Sequence, residues 1–323
     1  MPKQDIISIS DFSKDELEAI LEASFKMEEE VNAKGSLDLL RGKILASLFF
    51  EPSTRTRFSF EAAMFKLGGQ VVSATGVNFS SMAKGETLED TIKTIERYAD
   101  VIVIRHPELG SAKIAAGAAK IPVVNAGDGP GDHPTQAFLD FYTIKKEKKT
   151  IEGLKIAMVG DLKYGRTMHS TIQLLSLYND VKFYLVSPEE LKTPSKYLEN
   201  VADYEETEDL KSVLPEVDVL YMTRIQKERF AEEADYLRLK DSFILNKSLL
   251  ANAKNDMIIM HPLPRVNEIA TDVDEDRRAK YFDQVENGLY VRMALLAFVL
   301  GKIDIRKLSL RANGERGNLL NNG

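Results

Sequence analysis

The stretch Phe50-Glu51-Pro52-Ser53-Thr54-Arg55-Thr56-Arg57 decides how the first half of this chain folds. It follows the apolar run Ile44–Phe49 and precedes an amphipathic segment that ends at Gly68-Gly69, an order that predicts a strand, a tight turn and a helix. The exposed N–H groups and the positive dipole end of a helix N-terminus bind anions. Serine and threonine hydroxyls add donors, and the planar guanidinium of Arg55 suits phosphate. The turn therefore predicts a ligand that carries a phosphate group.

The composition bounds the class of protein. The chain has 323 residues, of which 44% are hydrophobic and 29% charged, as in a soluble globular protein of about two domains. Its formal net charge of -7 argues against a nucleic-acid partner. It has no cysteine, which excludes disulfides, thiolate catalysis and cysteine-ligated metals. No apolar run approaches ~18 residues and no signal segment opens the chain, so we expect no membrane association and a cytoplasmic location.

Short apolar runs alternate with helical patterns along the whole chain. Runs without polar alternation predict buried parallel strands with helices on both faces, and hence an α/β fold of two doubly wound parallel-sheet domains. The charged segment 145–149 marks the boundary between the domains. The predicted strands are Ile44–Phe49, Gln70–Ser73, Val101–Ile104 and Ile121–Asn125 in the first half, and Lys155–Gly160, Val181–Val186, Val217–Met222 and Met257–Met260 in the second. The predicted helices include Ser13–Gly35, which opens with the capping pair Ser13 and Glu16, and a long apolar helix over Gln284–Leu300.

Polar motifs follow several of the predicted strands. Because ligands of open α/β sheets bind at the carboxyl ends of the strands, these motifs hold the candidate site residues. Two sheets whose carboxyl ends face each other would form one interdomain cleft. The residues are Arg105, His133 and Gln136 in the first half, and Arg166, Arg224, Gln226 and His261-Pro262-Leu263-Pro264-Arg265 in the second.

The motifs allow more than one chemistry when each is taken alone. A loop of three glycines and two prolines, residues 127–136, presents His133, which could donate a hydrogen bond to a carbonyl as a neutral imidazole or act as a general base. Arg166 at a helix start suits a carboxylate, whereas His169, one turn later, is typical of a structural helix residue. Gly160-Asp161-Leu162-Lys163-Tyr164-Gly165-Arg166 lacks the spacing of a dinucleotide fingerprint. Lys84 lies in a polar loop that, alone, is typical of a mobile surface segment.

Together, the motifs closely resemble those of the aspartate carbamoyltransferase catalytic chains in the transcarbamoylase family, from about Ser8 to Leu300. The Ser-Thr-Arg-Thr-Arg turn is shared by the whole family. The aspartate branch is indicated by Thr135 and by His261-Pro262-Leu263-Pro264, where ornithine enzymes usually carry cysteine. It is indicated also by Lys84-Gly85-Glu86-Thr87 and Thr223-Arg224-Ile225-Gln226.

The resemblance implies an architecture and partners. It implies a carbamoyl-phosphate domain of residues 1–148 plus 286–310, to which the last long helix returns, and an aspartate domain of residues 149–285. Residues 311–323 would be a flexible tail. Family chains form homotrimers with active sites between subunits, and zinc-bearing regulatory chains are a further partner that the resemblance implies. It implies no metal and no cofactor in this chain.

The resemblance also implies the reaction: carbamoyl phosphate and L-aspartate give N-carbamoyl-L-aspartate and phosphate, the committed step of pyrimidine biosynthesis. Each matching residue then has an expected role. Ser53, Thr54, Arg55 and Thr56 hold the phosphate; Arg105, His133 and Thr56 polarise the carbamoyl carbonyl; and Gln136 with the Leu263 and Pro264 carbonyls binds its NH2. The aspartate-binding set is Arg166, Arg224, Gln226, Leu263, Pro264 and Lys84. Ser81 and Lys84 reach in from a neighbouring subunit, and Lys84 touches both ligands.

Three rival functions stay open at this point. A transcarbamoylase for ornithine would want acidic partners for a cationic side chain, whereas Arg166 and Arg224 favour a dicarboxylate. A non-catalytic anion-binding or regulatory protein would not need the oxyanion set and the interchain lysine together. A nicotinamide enzyme is disfavoured because the glycine fingerprint is absent.

Overall fold

The computed structural model describes residues 4–76 and 81–304, except for the side chains of residues 81 and 82. The predicted flexible tail, residues 311–323, lies outside them. The chain divides into two compact units. The first comprises the described residues within Met1–Tyr142 and Glu286–Gly323, and the second comprises Thr143–Val285.

The first unit contains a four-stranded parallel sheet in the order β2-β1-β3-β4. Its strands are β1 (Ile44–Phe49), β2 (Gln70–Thr75), β3 (Val101–His106) and β4 (Val123–Asp128). Its helices are α1 (Lys14–Lys34), α2 (Thr54–Lys66), α3 (Leu88–Ile95), α4 (Ser111–Ala118) and most of α5 (Pro134–Lys148). Buried residues of β1 and β3 pack against α3 and α4, which gives this unit an apolar core on one face of its sheet.

The second unit contains a five-stranded parallel sheet in the order β7-β6-β5-β8-β9. Its strands are β5 (Lys155–Val159), β6 (Lys182–Val186), β7 (Asp203–Thr207), β8 (Val219–Met222) and β9 (Ile258–Met260). Its helices are α6 (Arg166–Leu175), α7 (Leu210–Val213), α8 (Glu233–Leu239) and α9 (Lys247–Leu250). Helix α10 (Tyr281–Val299) begins in this unit and belongs to the first from Glu286 on, which confirms that the last long helix returns to the first domain.

The predicted α/β class with two doubly wound parallel sheets is confirmed. So is the capping box of α1, in which Ser13 and Glu16 bond reciprocally. Three strand predictions differ from the structure. Strand β7 was missed, and Arg105 was placed after its strand although β3 extends through His106. Strand β4 also starts and ends later than the predicted Ile121–Asn125.

Within residues 4–76 and 81–304, no helix has the length and apolar character needed to cross a lipid bilayer. The same part of the chain contains no group of three or more His, Asp or Glu side chains placed to hold a metal ion.

Candidate active site

The predicted phosphate-binding turn is the N-terminus of α2. Ser53 is the N-cap residue, and its side chain makes no capping hydrogen bond. A serine in this position ordinarily satisfies one of the free backbone N–H groups of the first turn. Here the Ser53 hydroxyl does not cap these N–H groups, and Thr56 in the same turn is buried. The turn therefore offers a row of donors at the positive end of a helix, as the sequence predicted.

Backbone pairing fixes this turn against the end of strand β3. The N–H of Phe50 donates to the carbonyl oxygen of Arg105 at 2.8 Å. The guanidinium of Arg105 contacts a carboxylate oxygen of Glu51 at 2.9 Å and donates to the carbonyl of Ala126 at 3.3 Å. Its side chain is only 12% exposed. The arginine predicted to polarise a carbonyl is thus oriented from two sides, and the Glu51 carboxylate is a partner that sequence reasoning missed, although it lies inside the quoted turn.

His133 and Gln136 are placed by the loop that follows β4. Because β4 neighbours β3 in a parallel sheet, this loop leaves the same edge of the sheet as the Arg105 end of β3. Gly129 adopts a positive φ of 53°, and a Cβ there would lie 2.4 Å from the carbonyl oxygen of Pro107, so only glycine fits. His133 is 4% exposed and its carbonyl accepts the N–H of Gln136 at the start of α5. The structure thus places the turn at the start of α2, Arg105, His133 and Gln136 at the same edge of the sheet.

The two other histidines of interest are structural. His106 is buried, its Nδ1 accepts the N–H of Glu108 at 3.1 Å, and burial lowers its pKa. His169 is buried, donates from Nε2 to the carbonyl of Leu162 at 2.7 Å and stacks on Tyr197 with ring centroids 3.8 Å apart. Burial lowers the pKa of His169 to about 4, so the ring is neutral near pH 7.

In the second unit, the predicted substrate residues follow three neighbouring strands, β5, β8 and β9. Gly160, at the end of β5, has φ of 118°, and a Cβ there would lie 2.2 Å from the carbonyl oxygen of Thr223. This close approach joins the turn after β5 to the turn after β8. Asp161 then accepts from the side-chain Nε2 of Gln226 at 3.3 Å. Burial raises the pKa of Asp161, and N–H bonds from Tyr164 and Gln226 oppose that rise.

Arg224 already binds a carboxylate in this structure. Its two terminal nitrogens contact the two oxygens of Glu228, one of them at 3.0 Å. These bonds raise the pKa of Arg224 and lower that of Glu228. A fork that binds one carboxylate with both nitrogens is suited to a substrate carboxylate of the same shape. Arg166 begins helix α6 and is half-buried.

The turn after β9 carries Leu263 and Pro264. Leu263 has a positive φ of 52°, and its peptide bond to Pro264 is cis. The N–H of Leu263 donates to Nδ1 of His261 at 2.8 Å, so Nε2 of that ring carries the proton and donates to Glu268 at 2.7 Å. Both side chains are buried. The histidine of the His-Pro-Leu-Pro motif therefore shapes the turn, and Glu268 is a second partner that the sequence did not indicate.

The remaining predicted residues belong to one segment. Ser81 and Lys84 lie in a 3-10 turn, Ser81–Lys84, that precedes α3, and Lys84 is exposed.

Comparison with known proteins identifies the family. Residues 4–146 match the model of the carbamoyl-phosphate-binding domain of aspartate/ornithine carbamoyltransferases, and residues 152–299 match that of the aspartate/ornithine-binding domain. The chain belongs to the aspartate/ornithine carbamoyltransferase family.

Relatives and solved structures are similar over nearly the whole chain. The aspartate carbamoyltransferase catalytic subunit of Thermococcus kodakarensis is 54% identical over 306 residues, which cover 94% of this chain and 98% of that protein. The catalytic subunit of M. jannaschii aspartate transcarbamoylase matches with a TM-score of 0.86 and 49% identity, covering 92% of this chain and 98% of that one. The Trypanosoma cruzi enzyme, solved in complex with carbamoyl phosphate and aspartate, matches with a TM-score of 0.87 and 42% identity over 91% of this chain and 96% of its own.

Proposed function

We propose that this chain acts as an aspartate carbamoyltransferase, a transferase that moves the carbamoyl group from carbamoyl phosphate to the amino group of L-aspartate. The products are N-carbamoyl-L-aspartate and phosphate. The observation that carries this proposal is the turn at the N-terminus of α2, whose Ser53 hydroxyl is not used for capping and which backbone bonds fix beside Arg105. Family membership and the relatives' names support the same reaction.

The first unit would bind carbamoyl phosphate. Its phosphate would accept bonds from the donors at the start of α2, where the helix dipole and the Arg55 guanidinium favour negative charge. Arg105, His133 and Thr56 would donate to the carbamoyl oxygen, and Gln136 would accept from its NH2. The full carbamoyl-phosphate set in this proposal is Ser53, Thr54, Arg55, Thr56, Arg105, His133 and Gln136, with the carbonyls of Leu263 and Pro264 and with Ser81 and Lys84 of a neighbouring chain.

The second unit would bind L-aspartate. Arg166 and Arg224 would take its carboxylates, and Gln226, which donates to Asp161, would support Arg224. Leu263, Pro264 and Lys84 of a neighbouring chain complete the aspartate set in this proposal. The bidentate contact between Arg224 and Glu228 supports this role, because the guanidinium already donates from both terminal nitrogens to one carboxylate. Ornithine offers a cation in place of the second carboxylate, and two arginines would repel it.

Catalysis would come from positioning and electrostatics, without a protein nucleophile. The amine of aspartate attacks the carbamoyl carbon, a C–N bond forms, the C–O bond to phosphate breaks, and the departing phosphate takes the amine proton. The negative charge that grows on the carbonyl oxygen in between is stabilised by Arg105, His133 and Thr56. The two substrates are both anionic, and the arginines proposed to bind each of them would offset their repulsion.

The finer features of the proposal concern assembly and setting. We propose a cytoplasmic homotrimer with active sites completed by Lys84 of a neighbouring chain, acting in pyrimidine biosynthesis, to which zinc-bearing regulatory chains bind. An apolar surface on α2 supports self-association: Phe58 and Phe65 lie seven residues apart, on the same face of the helix. Their side chains are 55% and 58% exposed, and exposed aromatic side chains in one region mark interaction sites.

A carbamoyl-aspartate assay tests the reaction, with ornithine as the alternative acceptor. The purified protein is expected to form carbamoyl-aspartate and no citrulline. Arg105→Ala should lower turnover by at least about 10²-fold, since loss of one oxyanion donor costs about 3 kcal/mol. Arg238→Ala, which removes an exposed arginine paired with Glu190, is the matched control and should retain activity. Turnover near that of the wild type in folded Arg105→Ala would refute the assignment.

Hybrid assemblies test the shared site. Lys84→Ala and Arg55→Ala chains should each be inactive alone, because each lacks a different part of the site. Mixed trimers should regain activity, because a Lys84→Ala chain supplies an intact Arg55 to a site whose Lys84 comes from a neighbouring Arg55→Ala chain. Hybrids of verified composition that stay inactive would exclude sharing between subunits.

A further inference from the structure

A buried polar pair lies on helix α5 directly after the candidate active-site loop. Gln136 and Asp140 are one helical turn apart, and Nε2 of Gln136 donates to Oδ1 of Asp140 at 2.9 Å. Asp140 is fully buried and Gln136 is 8% exposed. A carboxylate can only accept hydrogen bonds, so the Gln136 amide must direct its NH2 group toward Asp140. Its carbonyl oxygen Oε1 is then directed away from Asp140, and the orientation of the amide is fixed chemically.

A buried arginine on α10 accompanies this pair. Arg292 is 3% exposed, donates from Nη1 to the hydroxyl of Ser59 at 2.9 Å and lies 5.1 Å above the ring of Phe60. Burial lowers the pKa of Arg292 to about 10, and the negative charge of Asp140 opposes that effect. Arg292 therefore supplies positive charge that compensates the buried carboxylate. The negative charge beside Gln136 is built into the fold.

We infer that Asp140 is a positioning residue and specificity determinant for the proposed reaction: it keeps Oε1 of Gln136 directed at the carbamoyl group of the substrate. This inference rests on the proposed function, in which Gln136 binds that group. An amide oxygen can accept from the NH2 of carbamoyl phosphate, whereas acetyl phosphate presents a methyl group at the same place. If the amide turned over, its NH2 would face the NH2 of the substrate, donor against donor. Asp140 thus favours carbamoyl phosphate over acetyl phosphate through the orientation of the Gln136 amide, without contacting the substrate itself.

Steady-state kinetics of Asp140→Asn test this role. The variant keeps the volume of the side chain but can offer NH2 as well as oxygen to Gln136, so the amide orientation is no longer enforced. We expect KM for carbamoyl phosphate to rise about tenfold, the effect of one ordinary hydrogen bond. The preference for carbamoyl over acetyl phosphate should fall by a similar factor, while KM for aspartate stays within about twofold. Glu147→Gln, a charge loss near the end of the same helix, is the control and should change none of these values.

A double-mutant cycle separates positioning from a purely structural effect. In a Gln136→Ala background, Asp140→Asn should change KM for carbamoyl phosphate by less than about twofold, because the amide through which it acts is absent. An undiminished effect in that background, or an unchanged KM in Asp140→Asn itself, would overturn the inference. Circular dichroism verifies folding. If Asp140→Asn does not fold, the charge-balanced Asp140→Asn/Arg292→Met chain gives the same readouts. A wild-type protein that forms no carbamoyl-aspartate would refute the proposed function instead.

Discussion

The buried contact between His261 and Glu268 allows a sharp prediction for the isosteric variant Glu268→Gln. One carboxylate oxygen of Glu268 accepts from Nε2 of His261, and the other accepts the N–H groups of Val266 and Asn267 at 3.0 and 3.1 Å. A glutamine has one oxygen and one NH2. Whichever way the amide turns, its NH2 meets either the imidazole N–H or the two backbone N–H groups.

The imidazole cannot resolve this conflict by changing tautomer, because its Nδ1 accepts the N–H of Leu263 at 2.8 Å. At least one buried donor therefore faces another donor, which costs about 2 kcal/mol. The unfolding temperature should fall by about 4–8 °C, since 1 kcal/mol corresponds to about 2–4 °C for a domain of this order of size. The turn that presents the Leu263 and Pro264 carbonyls would loosen, so KM for carbamoyl phosphate should rise as well.

Thermal unfolding followed by far-ultraviolet circular dichroism measures the effect; the chain has no tryptophan for fluorescence. Glu147→Gln makes the same chemical change at a partly exposed site and should stay within about 0.5 kcal/mol of the wild type. Burial raises the pKa of Glu268, but the bonds from His261 and the backbone outweigh it and leave the pKa below its usual value. The carboxylate thus stabilises the fold above its unfolded-state pKa, and that contribution is lost as pH falls through the folded pKa. The reasoning would be refuted if the wild type and Glu268→Gln had equal unfolding temperatures at pH 7, or if the difference between them did not shrink below pH 4.5.

Three further predictions concern stability and assembly. Burial lowers the pKa of His169 to about 4 in the fold, whereas a histidine in the unfolded chain has its ordinary pKa of 6.5, so the unfolded chain binds a proton first as pH falls. Stability that is present above pH 6.5 is therefore lost toward pH 4, by about 3 kcal/mol. His169→Phe should therefore flatten denaturant stability between pH 4.5 and 6.5, and an unchanged slope would contradict it. Glu61→Ala should cost about 1–3 kcal/mol in urea unfolding, because that carboxylate accepts serine hydroxyls from β1 and β2 at 2.9 and 2.8 Å. Phe58→Ser/Phe65→Ser should weaken self-association in sedimentation experiments while circular dichroism stays unchanged; an assembly of wild-type strength would exclude this surface as the interface.

The elements that sequence patterning predicted well are those whose signal is a property of their own residues. Strand β1 has the predicted bounds, Ile44–Phe49, because its apolar run is buried on both faces of the sheet. Strand β7, by contrast, has the sequence Asp-Tyr-Glu-Glu-Thr and is almost wholly exposed at the sheet edge. Its strand state comes from backbone pairing with β6, and its acidic side chains protect an open edge from pairing with another chain. No hydrophobic pattern could have predicted it.

The same reason explains the end of β3. Polar side chains at Arg105 and His106 suggested that the strand had ended. Pairing of Phe49 with Arg105 and of His106 with Asp128 continues it, because neighbouring parallel strands supply the hydrogen bonds whatever side chains they carry. The extension matters for the site, since it makes the backbone of Arg105 part of the sheet and the guanidinium a group on a rigid element.

The acidic partners of the site divide into those that a sequence signal could have found and those that it could not. The spacing of Gln136 and Asp140, four residues apart on one helix, is a signal that was overlooked. Glu51 and Asp161 lie inside motifs that were quoted for their neighbours. Glu268 lies seven residues beyond His261, in a segment without periodicity, and only the folded turn brings the two together.

These carboxylates act in two different ways. Asp140 and Glu268 are buried, at 0% and 5% exposure, and each accepts from a side chain that can then have only one orientation. Glu228 is 54% exposed and binds both terminal nitrogens of Arg224, the same atoms that would take a substrate carboxylate. In the proposed function, a substrate carboxylate that used both nitrogens would displace Glu228, and an exposed ion pair is weak enough for that exchange. The two buried acids therefore fix the orientation of the side chains that they accept from, whereas in the proposed function the exposed Glu228 would occupy the Arg224 guanidinium until a substrate carboxylate replaced it.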